Sequence, residues 1–208
     1  MAPEEVYHDA YLGIWLKPAG LMVEPDRFGH PNLQDIVGEA KRKPVWPVHR
    51  LDRPTSGLVL FSYKKSAVAP LMNLFAERTV QKSYTAWLER PWEEGNATWW
   101  DWGLKNNREF RMDIVPEGTP DAKSMGMVLQ PGSQSDCVEI GLLTGRYHQI
   151  RAQMAHRGFP VRGDVAYGAQ PWEAPNAIGL HAGGLRLVHP WTLEECKVEV
   201  APSWALGS

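Results

Sequence analysis

The sequence predicts an α+β fold, because strand-like and helix-like segments are mixed without the strict alternation of a wound parallel sheet. Hydrophobic residues make up 43% of the 208 residues, which is enough for a real core in one domain. Residues 57–63 form a continuous apolar run typical of a buried strand. Residues 66–78 carry apolar side chains at helical spacing, and residues 80–88 alternate as a half-buried strand does.

The other elements follow from shorter signals along the chain. Three residues mark the ends of predicted helices. Asn32 and Thr144 are candidate N-caps, and Gly158 is a candidate stop after a helix. In the predicted strand 80–88, Tyr84 and Ala86 share a face. The segment 94–131, rich in Trp, Gly and Pro, predicts only short strands and loops. The remaining predictions are strands at 11–17, 136–143, 178–188 and 197–201, and helices at 32–42 and 146–157.

Composition excludes several classes of protein. No apolar run reaches membrane-spanning length, and the N-terminus lacks the pattern of a secretory signal. Cys137 and Cys196 form neither a disulfide framework nor a metal-binding set, so we expect a cytoplasmic protein. The net charge of −2 argues mildly against a nucleic-acid partner. The total charge can nevertheless hide a basic patch, for which the candidates are Lys41, Arg42, Lys43, Arg50, Arg53, Arg146, Arg151, Arg157 and Arg162. For residues 41–43, the end of a solvated helix is an equally good interpretation.

Residues 49–58, HRLDRPTSGL, are the most informative segment. Asp52 stands between Arg50 and Arg53, and two guanidinium groups favour an ionised carboxylate. A turn signal and then an apolar strand follow. Such a carboxylate is either a salt-bridge anchor or a nucleophile, and the residues alone leave both open.

Five further segments are ordered around the Asp52 motif. They are 17–23 (KPAGLMV), 82–86 (KSYTA), 143–151 (LTGRYHQIR), 158–168 (GFPVRGDVAYG) and 180–182 (LHA) with the later His189-Pro190. In order and spacing the six segments resemble the RluA-type RNA pseudouridine synthases, from about residue 10 to about residue 190. Tyr147 departs from the family pattern, in which Thr, Ser or Lys is commoner.

The resemblance implies the pseudouridine-synthase fold, a mostly antiparallel mixed sheet flanked by helices with a central catalytic cleft. We expect residues 1–208 to form a single catalytic domain without an upstream RNA-binding module, since the first motif begins at residue 17. The implied reaction converts a uridine of ribosomal or transfer RNA to pseudouridine. This isomerisation needs no cofactor and no metal. RNA is the expected partner, with no membrane and no obligatory protein partner, and we expect a monomer.

The resemblance also implies roles for single residues. Asp52 is the nucleophile, although attack at C1′, attack at C6 and a glycal route all stay open. Arg151 pairs with Asp52 and aims it, and Tyr84 stacks on the target base. Ile150 packs beneath the base, and Arg50 fills the space left by the flipped uridine.

Other motif residues are expected to bind substrate or to support the site. His49, Arg53 and Arg146 are candidate substrate contacts, whereas the imidazoles of His49, His148 and His181 are interpreted as structural and not catalytic.

Three other functions compete with this interpretation. A non-catalytic RNA-binding protein could share the fold. A serine acyl-transfer enzyme is suggested by Ser62 and Lys65 in an S-x-x-K pattern. A metal-dependent nuclease could use Asp52, His148 and His156, although this spacing matches no recognised ligand set.

Overall fold

The computed structural model describes residues 2–174 and 176–206, which form eleven strands and three α-helices. The strands are β1 (Glu4–His8), β2 (Leu12–Lys17), β3 (Trp46–Pro47), β4 (Ser56–Ser62), β5 (Gln81–Trp87), β6 (Ala97–Asn106), β7 (Arg111–Val115), β8 (Lys123–Pro131), β9 (Cys137–Leu142), β10 (Leu180–Val188) and β11 (Glu195–Glu199). The helices are α1 (Leu33–Lys41), α2 (Lys65–Ala76) and α3 (Gln149–His156).

The chain divides into two compact units. The first unit combines the described residues up to Lys82 with those from His181 onward, and the second contains Ser83–Leu180. The first has the strand order β1-β2-β4-β10-β11, in which only the β4–β10 pair is parallel, and β3 also pairs with β4. The second has the all-antiparallel order β5-β9-β8-β6-β7. The predicted α+β class with mostly antiparallel strands is confirmed, whereas the single catalytic domain stays a prediction.

The first unit is built around two strands whose side chains are almost all buried, β2 and β4. Helix α2 packs Ala67 and Leu71 into the same core. Gly57 lets β4 approach β10 closely. Its φ is +126°, and a Cβ atom there would lie 2.3 Å from the carbonyl oxygen of Ala182. The close parallel pairing therefore fixes the end of segment 49–58, which contains Asp52.

Helix α1 confirms the predicted cap. The Asp35 N–H donates to Oδ1 of Asn32 at 2.9 Å, and the Asn32 amide donates back to the Asp35 carboxylate at 2.7 Å. The helix ends at Lys41, and Arg42 follows with a left-handed φ of 53°. The cap satisfies a backbone donor that would otherwise be unpaired at the start of the helix.

The prediction of short strands and loops at 94–131 is wrong, because β6 has ten residues and β8 has nine. Two glycines that look like breakers are sites of close packing. A Cβ atom on Gly103 would lie 2.6 Å from Cε of Met125, and one on Gly126 would lie 2.7 Å from the Trp100 ring. These glycines are required because large side chains from neighbouring strands cross over them.

Helix α3 begins three residues later than predicted, and Thr144 is not its cap. His148 stands at the N-cap position with a left-handed φ of 49°. The Thr144 hydroxyl instead accepts from the Gly126 N–H at 3.0 Å and donates to Oε1 of Gln149 at 2.7 Å. The predicted stop is confirmed, since Gly158 follows the helix with a φ of +77°.

Candidate functional site

Asp52 lies in the loop between β3 and β4, where its side chain is partly buried. The Thr55 N–H donates to the Asp52 carbonyl at 3.1 Å and closes a turn. Two exposed arginines flank the carboxylate in sequence, as the motif predicts. The loop therefore presents a carboxylate at the point where a turn meets a rigid buried strand.

Lys17 anchors this loop from the end of β2. It is completely buried, and its Nζ donates to the carbonyls of Pro18 at 2.9 Å, Leu21 at 2.8 Å and Arg53 at 3.2 Å. The Gly20 N–H donates to the Arg53 carbonyl at 2.8 Å, and Nε of Arg53 donates back to the Gly20 carbonyl at 3.0 Å. The first motif thus holds the Asp52 motif in place. Sequence reasoning missed Lys17 as a site residue, although its motif had been recognised.

Burial lowers the pKa of Lys17 to about 7, and the negative charge of Asp52 opposes part of that shift. Between about pH 7 and pH 10 the unfolded chain keeps a proton on this lysine that the folded chain has lost. The contribution of Lys17 to the free energy of unfolding therefore rises with pH through this window.

We expect the stability of the wild type, relative to Lys17→Met, to rise by up to about 3 kcal/mol from about pH 7 to about pH 9.5. Urea unfolding of both proteins at several pH values measures this difference. Lys123→Met, at an exposed position of the second unit, is the control, and its difference from the wild type should be flat. Parallel curves for the wild type and Lys17→Met would contradict the expectation.

Arg50 is exposed over 71% of its side chain and pairs with a carboxylate oxygen of Glu24 at 3.3 Å. Glu24 is itself 43% exposed. Ion pairs of this kind contribute about 0–1 kcal/mol, so the guanidinium can leave at little cost. Arg50 is thus a long cation at the rim of the Asp52 loop, held only weakly.

The imidazole of His49 makes its contacts within the first unit. Nε2 accepts from the Leu60 N–H at 3.1 Å, and the ring stacks on Phe75 at 4.7 Å between centroids. Burial, assisted by the nearby charge of Lys82, lowers the pKa of His49 to about 3. The ring is therefore neutral under physiological conditions, which supports the structural interpretation. Its role as a substrate contact stays a prediction.

His181 links β10 to its neighbours. Nδ1 lies 2.8 Å from the Ser56 hydroxyl, and Nε2 lies 3.0 Å from the Val200 carbonyl. Because a carbonyl only accepts, Nε2 carries the proton and Nδ1 accepts from Ser56. Burial lowers the pKa of His181, in keeping with a neutral structural ring.

Arg151, on helix α3, forms a bidentate pair with Asp164 in the interior of the second unit. Nε and Nη2 donate to the two Asp164 oxygens at 2.7 Å and 2.8 Å. Nη1 lies 2.8 Å from Nε2 of His148, and the guanidinium carbon lies 5.0 Å from the centre of the Tyr167 ring. Sequence reasoning missed Asp164 as a partner, although the Gly163-Asp164 pair belongs to a recognised motif.

His148 and its neighbours complete the support for Arg151. Since Arg151 is only a donor, Nε2 of His148 accepts from it, and Nδ1 is left to donate to the Tyr167 hydroxyl at 3.2 Å. The Tyr167 oxygen also accepts from the Met112 N–H at 2.7 Å. The ring of Tyr147 stacks on His148 at 3.8 Å. The guanidinium is therefore oriented by a chain of aromatic and polar contacts.

The remaining predicted residues of the second unit differ in exposure. Tyr84 is buried on β5 opposite Ile140 of β9, and Ile150 is buried on α3. Arg146 is exposed, and its Nε reaches the Ser124 carbonyl at 3.4 Å. Tyr84, Ile150, Arg151 and Arg146 thus belong to the second unit, whereas Asp52 belongs to the first.

The predicted basic patch is smaller than the sequence suggests. Lys41 is paired with Glu5, and Arg157 makes a bidentate pair with Asp101 at 2.7 Å and 2.9 Å. Arg151 is likewise directed at a carboxylate. The acidic partners of these cations lie at least 13 positions away in the sequence. Composition therefore does not reveal that the cations are already paired within the protein.

The structure also bears on the competing functions. No three His, Cys, Asp or Glu side chains within residues 2–174 and 176–206 are grouped so that they could hold a metal ion. Ser62 is fully buried and its hydroxyl donates to the Lys64 carbonyl at 2.8 Å, which disfavours it as an acyl-transfer nucleophile. None of the helices in the described part of the chain is both long and apolar enough to cross a membrane.

Comparison with known proteins gives a consistent result. The model of a family described as RNA pseudouridylate synthase matches residues 11–156. The tRNA pseudouridine synthase C of Vibrio vulnificus (strain CMCP6) is 32% identical, over 97% of this chain and 92% of that protein. The ribosomal large subunit pseudouridine synthase C of the same organism is also 32% identical, over 93% of this chain and 64% of that protein. A solved structure, human RNA pseudouridylate synthase domain containing 1, has a TM-score of 0.81 and 26% identity, over 97% of this chain and 84% of that chain.

Proposed function

The chain belongs to the RNA pseudouridylate synthase family, and from this we propose that it isomerises a uridine of transfer or ribosomal RNA, with Asp52 as the nucleophile. The observation that carries the proposal is the family match across residues 11–156, which includes Asp52, Tyr84 and Arg151. The anchoring of the Asp52 loop by buried Lys17 supports it, because a nucleophile must be held in a fixed direction.

The proposed reaction breaks the C1′–N1 bond of uridine, turns the base, and joins C1′ to C5. N1 gains the proton that C5 loses, so atoms balance without a second substrate. Asp52 displaces N1 at C1′, adds to C6 of the base or promotes a glycal, and any bond formed to Asp52 is broken again before the product leaves. A positioned group takes the proton from C5 after C1′ has joined it. Because the product is an isomer, neither an oxidant nor a cofactor enters.

Flipping of the target uridine is part of the proposal, because its reacting atoms are unreachable inside a stacked helix. Arg50 is suited to fill the vacated space, since it is long, exposed and held only by a weak surface pair. Tyr84 would stack on the flipped base with Ile150 beneath it. We further propose that Arg151 pairs with the Asp52 carboxylate and aims it.

We also propose that the whole chain acts as a single catalytic domain and as a monomer. The chemistry uses one carboxylate, one arginine and one aromatic ring, and needs no second protein and no membrane. RNA of the cytoplasm is the corresponding substrate.

The direct test is to map pseudouridines in transfer and ribosomal RNA from cells with and without this gene. We expect at least one position to lose its pseudouridine when the gene is deleted, and purified protein to restore it on an unmodified transcript. If no position changes in either RNA class, and the purified protein modifies neither, the proposed function is wrong. A position in only one class identifies the substrate.

Thorough chelation is expected to leave turnover unchanged, because the isomerisation requires no Lewis acid. Pseudouridine formation on a short unstructured RNA, with and without EDTA, measures this. Chelation would unfold an RNA that needs Mg²⁺ and would lower turnover for that reason alone. The short unstructured RNA avoids this effect. Loss of pseudouridine formation there, with rescue by a divalent ion, would show that the reaction needs a metal, whereas metal-dependent cleavage of the RNA would favour the nuclease interpretation.

A further inference from the structure

Thr55 has a side-chain hydroxyl that is buried without a hydrogen-bond partner among the described residues, 2–174 and 176–206. The residue is only 2% exposed. It lies three positions after Asp52 and directly before β4. Burying a hydroxyl without a partner costs about 1–3 kcal/mol, whereas a valine of the same shape would pack there at no such cost.

The unpartnered hydroxyl is not the result of a loosely held loop. Upstream, the Thr55 N–H donates to the Asp52 carbonyl at 3.1 Å. Downstream, the Ser56 hydroxyl is bonded to His181 at 2.8 Å, and Gly57 lies against the backbone of Ala182. The backbone of Thr55 is therefore held by its own N–H and by the two residues that follow it, and the position of its Cβ atom is fixed with that backbone.

We propose that the Thr55 hydroxyl is a donor reserved for the Asp52 carboxylate, engaged when RNA is bound, which makes Thr55 a positioning residue for the nucleophile. The inference rests on the proposed function, because it assumes that Asp52 reacts with the uridine. A rotation about χ1 moves the hydroxyl between staggered positions without moving the backbone.

The partner of this hydroxyl has to come from the protein, since the oxygen is shielded from solvent and RNA cannot reach it directly. Asp52 is the acceptor that the turn favours. Residues at the first and fourth positions of a turn lie close together, and the backbones of Asp52 and Thr55 are already bonded. An ionised carboxylate accepts about four hydrogen bonds, so it can accept this one in addition to those it already makes.

Thr55→Val tests the inference, because it removes the hydroxyl and keeps the shape. If the hydroxyl serves Asp52 only when RNA is bound, its removal should affect stability and rate differently. The urea midpoint of Thr55→Val should stay equal or rise. Its single-turnover rate at saturating RNA should fall about ten- to a hundredfold. The RNA dissociation constant should change by less than about twofold. Thr55→Ser, which restores the hydroxyl, should recover most of the rate.

A second pair keeps the test decisive if the valine variant folds poorly. Thr55→Ser and Thr55→Ala both lose the methyl group and differ only in the hydroxyl, so serine should be at least about tenfold faster. Thr79→Val is the control, since Thr79 is exposed and bonds only the Leu74 carbonyl.

Two outcomes would overturn the inference. One is a wild-type rate in Thr55→Val. The other is equal loss in the serine and alanine variants, which would show that the methyl group matters and the hydroxyl does not. Either result leaves the proposed function standing as long as the wild type forms pseudouridine. Absence of pseudouridine with the wild type would instead refute the function itself.

Discussion

Asp52→Asn is expected to abolish pseudouridine formation while the protein stays folded and binds RNA. Asparagine has nearly the same shape as aspartate, so the Thr55–Asp52 turn and the Lys17 anchor can form unchanged. It lacks the negative charge that a nucleophile needs. Turnover at saturating RNA, beside the dissociation constant and the urea midpoint, separates loss of chemistry from loss of binding or folding.

Asp121→Asn is the matched control. Asp121 is exposed and has a left-handed φ of 64°, a conformation that asparagine adopts readily. We expect wild-type activity from it. Substantial turnover in a verified Asp52→Asn preparation would remove Asp52 as nucleophile and would also weaken the case for Thr55. Normal RNA binding by a wild type without turnover would favour the non-catalytic RNA-binding alternative.

Arg151→Met is expected to lose nearly all activity, and Arg151→Lys to keep part of it, with RNA affinity falling little in either. Arg151 uses two nitrogens on Asp164 and a third on His148, a planar arrangement that a lysine ammonium cannot reproduce. Removing one partner of a buried pair also costs about 3–5 kcal/mol. Turnover must therefore be corrected for the folded fraction, measured by urea unfolding.

Binding measured at two salt concentrations distinguishes this role from phosphate binding. An arginine that grips phosphate would, once removed, weaken affinity and lower the salt slope by about one. Its variant would then turn over normally at saturation, and such a result for Arg151→Met would make Arg151 a docking residue. Arg186→Met is the control, because Arg186 forms an exposed pair with Glu195.

Asp164→Asn offers an independent check on the same pair. It breaks the bidentate contact from the other side, so it should reproduce much of the loss seen in Arg151→Met. In the double variant the two losses should not add, because both remove one interaction.

Local signals in the sequence predicted local structure well. The alternation in residues 80–88 is confirmed, since Tyr84, Ala86 and Leu88 are all buried. The cap at Asn32 is confirmed because it depends on a residue only three positions away. The short polar strand β1 was not predicted, because its pairing with β2 and not its own composition makes it a strand.

Long-range pairing explains the errors. Segment 94–131 was predicted as short strands and loops because the methionine and tryptophan side chains that cross Gly103 and Gly126 come from other strands. Asp164 was not recognised as the partner of Arg151, since motif order gives no distance between side chains. Lys17 was overlooked because a lysine is almost never fully buried, and only its three carbonyl acceptors explain its position.

The interruption of the first unit by the second has a consequence for synthesis on the ribosome. Strands β10 and β11 emerge only after the whole of Ser83–Leu180 has been translated. Translation adds about 5–20 residues per second, so the parallel partner of β4 is synthesised roughly 5–20 s after β4 itself. During that interval the nascent chain exposes an apolar strand edge beside the Asp52 motif, where chaperones would bind. The loop that carries Asp52 can therefore reach its final geometry only after the whole of the second unit has been translated.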